Sequence, residues 1–238
     1  MTDPGLSIVM PVFKEGEAVE VVLRALVRDI RTPHEILVVY DFDEDPTVPV
    51  IERLAAEMPA VRGQRNDLGR GVLNAMKAGI AVSTAPYVLI TMADGSDEPR
   101  IVDSMVSRAM DGADIVAASR YMPGGRQIGG PRLKALLSRI AGFTLYHLAG
   151  IRTHDPTNNF KLYSKRFLDA VTIESRAGFE LALELTVKAT IEGRQVVEIP
   201  TTWRDRTSGT SNFKLRQWLP HYLRWYLMAI RNARRRHD

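Results

Sequence analysis

The sequence predicts one α/β domain, a mostly parallel sheet with helices on both faces, and three observations carry that expectation. Short, β-branched apolar runs recur through the first 120 residues. Helix-period segments separate them, and no Ser/Gly/Pro-rich linker divides the 238-residue chain. The first run, Leu6 to Phe13 (LSIVMPVF), is nearly unbroken, as a strand covered on both faces requires. Glu35 to Tyr40, Tyr87 to Met92 and Asp114 to Ser119 repeat the pattern. Between them Gly16 to Ile30, Val48 to Met58, Gly69 to Ser83 and Pro99 to Met110 carry apolar positions at helical spacing, with Glu17 and Pro99 suited to first turns. Strand-helix alternation makes right-handed crossovers and a parallel sheet, whose ligands gather at the carboxyl ends of the strands.

The second half changes character. Arg132 to Ala149 reads as an amphipathic helix, Phe160 to Tyr163 and Val196 to Trp203 as strands, Phe179 to Glu192 as a helix, and Leu215 to Arg236 as a last helix. Residues 1–212 form the expected catalytic body, and 213–238 a basic, aromatic helix.

Composition narrows the function. At 45% hydrophobic and 25% charged residues the chain is neither disordered nor fibrous, and with no Cys it has neither disulfides nor thiolate chemistry. No stretch reaches the roughly 18–20 apolar residues of a transmembrane helix. Nothing at the start resembles a signal peptide, so a cytoplasmic catalytic body is expected. The charge is divided: residues 1–125 hold 12 Lys/Arg against 19 Asp/Glu (net −7), and residues 126–238 hold 20 against 9 (net +11). An acidic front half suits a metal or donor site, and a basic back half suits anionic partners: nucleic acid, a membrane surface or a phosphorylated substrate.

Chemistry should lie at the strand ends. Thr91-Met92-Ala93-Asp94-Gly95-Ser96-Asp97-Glu98-Pro99 delivers carboxylates before a helix, where oxygen ligands would hold Mg²⁺ or Mn²⁺ on a diphosphate. Asp97 or Ser96 would also serve as a helix cap. Asp41, first after the second strand, is placed for a base or ribose, whereas Glu44 and Asp45 read as a solvated turn ended by Pro46. Asn66-Asp67-Leu68-Gly69-Arg70-Gly71 opens a helix with glycine, either for a phosphate or for close packing. Arg120 to Arg132 holds four Gly, two Pro and three Arg, a mobile cationic loop suited to closing over substrate. Asp155 to Lys161 and Phe179-Glu180 are polar clusters, buried turns or site lining. The last segment combines Lys214, Arg216, Arg224, Arg231, Arg234, Arg235 and Arg236 with Trp218, Tyr222, Trp225 and Tyr226, which reads as a membrane-surface helix, as a helix docked on the core, or as both on two faces.

Together SIVMPVFKEGE, VVYDFDEDPT, NDLGRGVLNAMKAG, TMADGSDEP, ASRYMPGG, PRLKALLS, DPTNNFKLY and WRDRTSGTSNF resemble the GT-A-fold (Rossmann-like) inverting glycosyltransferases of the dolichol-phosphate mannosyltransferase type, over about Ser7 to Phe213. The resemblance implies that Pro11, Phe13, Glu15 and Asp41 hold the donor nucleoside, with Ala93 and Asp94 completing the nucleotide-sugar site. It implies a metal, Mg²⁺ or Mn²⁺, at Asp94, the final Asp of the family's DxD motif, with Ser96 beside it. It gives donor or acceptor phosphates to Arg120, Arg132 and Ser138, and Arg206 to the late G-x-S loop; Asp94, Arg120 and Arg206 would be the catalytic set. The partners implied are a nucleotide-diphosphate sugar, GDP-mannose first, a polyprenyl or dolichyl phosphate and the cytoplasmic membrane surface, with a separate membrane partner protein left open. The sequence departs from that family at Met92, where the first DxD carboxylate would stand, at Lys14 in place of Asn, and at Asn158-Asn159-Phe160-Lys161 in place of Ser-Gly-Phe-Arg. Two other readings stay open: a transferase using a UDP-sugar on a saccharide, and a nucleic-acid binder, which no recognised motif supports and which the acidic half would repel.

Overall fold

The computed structural model describes residues 4–205 and 215–235, the side chains of 215–218 excepted. Its strands are β1 (Leu6–Pro11), β2 (His34–Tyr40), β3 (Val61–Arg65), β4 (Tyr87–Ile90), β5 (Ile115–Ser119), β6 (Arg126–Ile128), β7 (Lys161–Ser164), β8 (Val196–Pro200) and β9 (Thr202–Arg204). Seven of them form one sheet in the order β3-β2-β1-β4-β7-β5-β8, and β6 pairs with β9 in a small ribbon. In the large sheet every described pairing is parallel except those of β7, which runs antiparallel to β4 and β5.

Successive residues of a strand face opposite sides, and here both sides are covered. On one side Ile8, Met10, Ile36 and Val38 pack against α1 (Ala18–Asp29), α2 (Val48–Glu57) and α4 (Val102–Met110). On the other, Val9, Leu37 and Val39 pack against α3 (Val72–Val82), and further along the sheet Tyr163 and Ile115 share a core with α7 (Leu181–Ile191). Two-sided burial is why β1 and β2 read as continuous apolar runs. Gly79 lets α3 lie flat on the sheet, since a Cβ there would stand 2.4 Å from the Val9 side chain.

The four leading strands and their helices lie where the periodicity puts them. The edge strand β3 (VRGQR) gives no apolar run, because only Val61 of its five residues is buried. The expected strand from Val196 to Trp203 divides at Thr201: β8 stays in the main sheet while β9 leaves to pair with β6. That pairing anchors the middle of the segment Arg120 to Arg132, expected as a mobile cationic loop: Arg126–Ile128 lie in the ribbon, and Gly125 is pressed against the Ser119 carbonyl, a Cβ there meeting it at 2.4 Å.

Two long helices lie outside this sandwich, α5 (Arg132–Ala149) and α8 (Leu215–Arg235), with the short α6 (Lys165–Ala170) following β7. Leu145 of α5, Leu183 and Val187 of α7, and Trp225 and Ala229 of α8 form a third apolar cluster. Trp225 is only 1% exposed, and Lys188 stands 5.2 Å from its ring. The tryptophan is therefore a core residue and not an interfacial anchor. The opposite faces remain open, with Leu133, Leu136, Ile140, Phe143 and Leu148 of α5 and Leu219, Leu223 and Leu227 of α8 all exposed. None of the described helices is long and apolar enough to cross a membrane. Trp225→Ala is expected to cost about 3–5 kcal/mol, the range for a buried aromatic truncated to alanine; an unchanged urea midpoint would contradict the docking of α8.

Candidate active site

The first wall of the cleft is built after β1 and β2. Lys14 takes a left-handed backbone (φ 58°), and its N–H donates to Asp45 at 2.8 Å. The Glu15 and Gly16 N–H groups donate to Thr47 Oγ1 at 3.0 and 3.1 Å, and that hydroxyl donates in turn to Asp45. Asp45 is 1% exposed, so the expected solvated turn is instead a buried clamp that shapes the segment after β1. Pro11 is buried at the end of β1, while Phe13 stands out, edge-on to Phe42 at 6.1 Å. Arg70 lies 4.8 Å from the Phe42 ring. An aromatic face bounded by cations suits a nucleobase.

Asp41 accepts from the Asn66 amide at 2.7 Å and from the Gly71 N–H at 2.9 Å. It thereby ties the end of β2 to the start of α3, and a carboxylate so engaged still has acceptor capacity for a ribose hydroxyl. Gly71 is required for its backbone, at φ 126°, and not for packing, because a Cβ there meets nothing within 4 Å.

Beyond β4, Asp94 Oδ1 accepts from the Ser96 N–H at 3.1 Å. Ala93 and Ser96 are buried, and the Ser96 hydroxyl is enclosed without a hydrogen-bond partner. Asp97 turns back instead, accepting from Thr91 Oγ1 at 2.9 Å and the Met92 N–H at 3.4 Å. Burial, reinforced by the charge of Asp94, pushes the Asp97 carboxyl up to about 7. The described residues contain no group of three metal-binding side chains. One carboxylate with an unpartnered hydroxyl nevertheless fits Mg²⁺ or Mn²⁺ delivered on a diphosphate, because Mg²⁺ is commonly held by one or two carboxylates plus substrate phosphates.

The second wall centres on Arg120, just past β5. Its Nε and Nη2 donate to the two oxygens of Asp155 at 2.6 and 2.9 Å, and Nη2 also reaches Ser138 of α5 at 3.3 Å. Ser138 and Thr157 hydroxyls are 2.6 Å apart, and Trp203 lies 5.9 Å from the guanidinium. Burial opposes both charges of the Arg120–Asp155 pair, but mutual attraction outweighs it, holding the carboxyl low and the guanidinium high. Lys161, fully buried, donates to the carbonyls of Asp155 at 3.0 Å, Pro156 at 3.2 Å and Asn158. Three acceptors use all three ammonium protons, although burial pulls its pKa down to about 7 against the attraction of Asp155. Asn158 and Glu180 are likewise buried turn chemistry: Asn158 holds the Ala118 carbonyl, and Glu180 accepts three consecutive N–H groups from Arg176 to Gly178.

The two walls meet. The Arg204 N–H donates to the Ser96 carbonyl at 3.1 Å, and the Thr202 N–H donates to Glu98 at 3.0 Å, so β9 lies along the carboxylate loop. Of the residues expected from sequence, Asp94, Ala93, Ser96, Arg120 and Ser138 gather here, with Pro11, Phe13, Glu15 and Asp41 on the wall after β1 and β2. Arg132 is exposed in the first turn of α5, nearly two turns before Ser138, and Arg206 lies outside the described residues. Asp45 reads from sequence as solvated and is buried, and Asp155 and Lys161, expected in a buried turn or site lining, are buried with partners the sequence does not name, since an isolated polar residue gives no sign of which long-range group it meets.

This architecture, with its carboxylate loop at the end of a parallel strand, defines a GT-A glycosyltransferase. The chain belongs to glycosyl transferase family 2, whose family model matches residues 7–172. It is 28% identical to the polyprenol monophosphomannose synthase of Mycolicibacterium smegmatis, across 89% of this chain and 85% of that protein. It is also 28% identical to the undecaprenyl-phosphate mannosyltransferase of Micrococcus luteus, across 93% of each. A solved structure of glucosyl-3-phosphoglycerate synthase from Mycobacterium tuberculosis, with Mn²⁺ and uridine diphosphate, shares the fold at a TM-score of 0.67 and 14% identity, covering 97% of this chain and 80% of that one.

The Asp97 carboxyl makes a signed prediction. An unfolded chain releases this proton near the ordinary aspartate value of 3.8, but the folded protein keeps it to about 7. Stability therefore falls as pH rises through that window and stays lowered above it. Metal-free Asp97→Asn is expected to match wild type near pH 4 and to melt above it at pH 8 by about 2–4 °C or more, the shift given by 1 kcal/mol in a domain of this size. Equal melting at pH 8 would exclude the charge penalty.

Proposed function

We propose that the enzyme transfers mannose from GDP-mannose to a polyprenyl phosphate, with inversion, while seated on the cytoplasmic face of a membrane. Relatives named as a polyprenol monophosphomannose synthase and an undecaprenyl-phosphate mannosyltransferase match nearly the whole chain. The observation that carries the lipid acceptor is the position of α5: its Ser138 touches Arg120 in the cleft, while its outer face exposes Leu133, Leu136, Ile140 and Phe143. A soluble protein seldom leaves so large an apolar patch without a partner for it. One helix thus supports both a phosphate and a hydrocarbon chain.

A phosphate monoester has its second pKa near about 6, so the acceptor reaches the site mostly as a dianion and needs no general base. Its oxygen forms the new bond to the anomeric carbon as the bond to the diphosphate oxygen breaks, and that electron pair leaves with the nucleoside diphosphate. The work of the protein is to align two anions that repel each other. Asp94 and Ser96 would hold a Mg²⁺ or Mn²⁺, which neutralises the departing diphosphate when bound. Phe13 and Asp41 seat the nucleoside. Arg120, held in one orientation by Asp155 and touching Ser138, would meet the acceptor phosphate, with Arg132 and Arg206 carried over as further phosphate ligands by the family resemblance alone.

Transfer of radiolabelled sugar to polyprenyl phosphate, measured across a donor panel, tests this reading. Lipid product from GDP-mannose is expected, and EDTA should abolish it. Asp94→Ala and Arg206→Ala should each lower turnover about 10²–10³-fold, as loss of one electrostatic stabiliser does, with an unchanged circular dichroism spectrum. Undiminished turnover in both would remove the site assignment, and transfer confined to water-soluble saccharides would remove the lipid acceptor. A variant carrying Leu136→Ser, Phe143→Ser, Leu223→Ser and Leu227→Ser is expected to lose liposome co-sedimentation yet still bind GDP-mannose in solution; retained co-sedimentation would contradict docking through α5 and α8.

A further inference from the structure

The far end of α8 carries a second cationic feature, separate from the cleft. A groove of about 360 Å³ lies between α7 and α8, lined by Ile191, Arg224, Met228, Arg231, Asn232 and Arg235. Positions 224, 228, 231 and 235 fall at helical spacing and share one face of α8. The exposed Leu219, Leu223 and Leu227 form the adjoining row at spacings of four, with Leu223 and Leu227 each one position before a groove residue. Tyr226 donates to Thr144 of α5 at 3.0 Å, which turns the leucine row toward α5 and leaves the arginine row toward α7. Across the surface the order is the apolar face of α5, the apolar row of α8, then the arginine groove.

The groove holds excess positive charge. Glu174, the carboxylate paired with a groove arginine, is shared between Arg224 at 3.1 Å and Lys188 at 2.7 Å, Glu192 beside Ile191 pairs with Arg194 at 3.3 Å, and Arg231 forms no salt bridge among the described residues. It is also remote from the acceptor cluster. Tyr222 lies within electrostatic range of Arg120, and Arg231 and Arg235 lie about 13 and 20 Å further along the helix at about 1.5 Å per residue.

We propose that this groove binds the phosphodiester headgroup of an anionic membrane phospholipid. Guanidinium forks match the two non-bridging oxygens of a phosphodiester, the Asn232 amide is placed for a glycerol hydroxyl, and the acyl chains descend beside Leu223 and Leu227. The site rests on the membrane reading above and adds to it a lipid preference and a fixed orientation on the bilayer.

Co-sedimentation with vesicles of phosphatidylcholine alone, or of phosphatidylcholine with phosphatidylglycerol, tests the groove in the full-length protein. Wild type should favour the phosphatidylglycerol vesicles. Arg231→Gln should weaken binding to them well beyond the roughly five-fold that loss of any one arginine at an anionic surface brings, about 1 kcal/mol, without changing binding to phosphatidylcholine or transfer to detergent-solubilised polyprenyl phosphate. Arg234→Gln, an equal change of charge outside the groove, should show only that general loss of about five-fold. Equal losses in the two variants would reduce the effect to general electrostatics and overturn the site, as would an unaltered preference in Arg231→Gln. Inorganic phosphate matching a short-chain phosphatidylglycerol as a competitor would reassign the groove to free phosphate and overturn it too. Failure of wild type to bind either vesicle would overturn the membrane reading and this site together, whereas a preference lost by neither arginine variant removes this site alone.

Discussion

A carboxylate with no exposure to water cannot stay charged without partners, and the arrangement around Asp155 follows from that constraint. Arg120 meets it with two side-chain hydrogen bonds and one from its own N–H. Lys161 fixes the carbonyls of the same turn, and Thr157 two residues on reaches Ser138. One buried charge thus joins the end of β5, the turn before β7 and the middle of α5. A buried pair of this kind adds little net stability, because desolvation offsets much of the attraction, but removing either partner is costly. Its consequence is geometric: the guanidinium is held in one orientation before any substrate arrives.

That preorganisation explains how an acidic front half and a basic back half come to share a cleft. The carboxylate loop after β4 is pinned by β9, which belongs to the basic half, through N–H groups that donate to the Ser96 carbonyl and to the Glu98 carboxylate. Arg120 lies near enough to Asp97 for each to influence the other's charge. Opposite charges are brought together on a rigid frame, which lowers the reorganisation needed when two phosphates enter.

The outer helices follow the same economy. α5 and α8 each give one face to the core and keep the other apolar and open. Gly142 allows the inward contact, since a Cβ there would stand 1.9 Å from the His154 carbonyl oxygen. Trp225 goes to the interior while leucines at nearby positions remain outside. Composition shows that α8 is aromatic, basic and apolar, and only the docked helix shows which of these residues the core takes.

Sequence periodicity by itself determined the four leading strands, the helices between them, and the strand-end loops at Phe13, Asp41 and Asp94, because burial on two faces leaves a local signature in consecutive residues. It did not reveal β3, whose edge position demands little burial, nor the antiparallel entry of β7 between β4 and β5, which depends on where a chain returns after forty residues. The roles of Asp45, Asp155 and Lys161 belong to the same class. Each is a polar side chain whose meaning lies in a partner distant in sequence or in a turn formed only on folding, so local pattern offers nothing to distinguish it from a solvated residue. Tertiary structure decided those cases, because the cost of burying a charge or a donor is set by the groups that surround it in space.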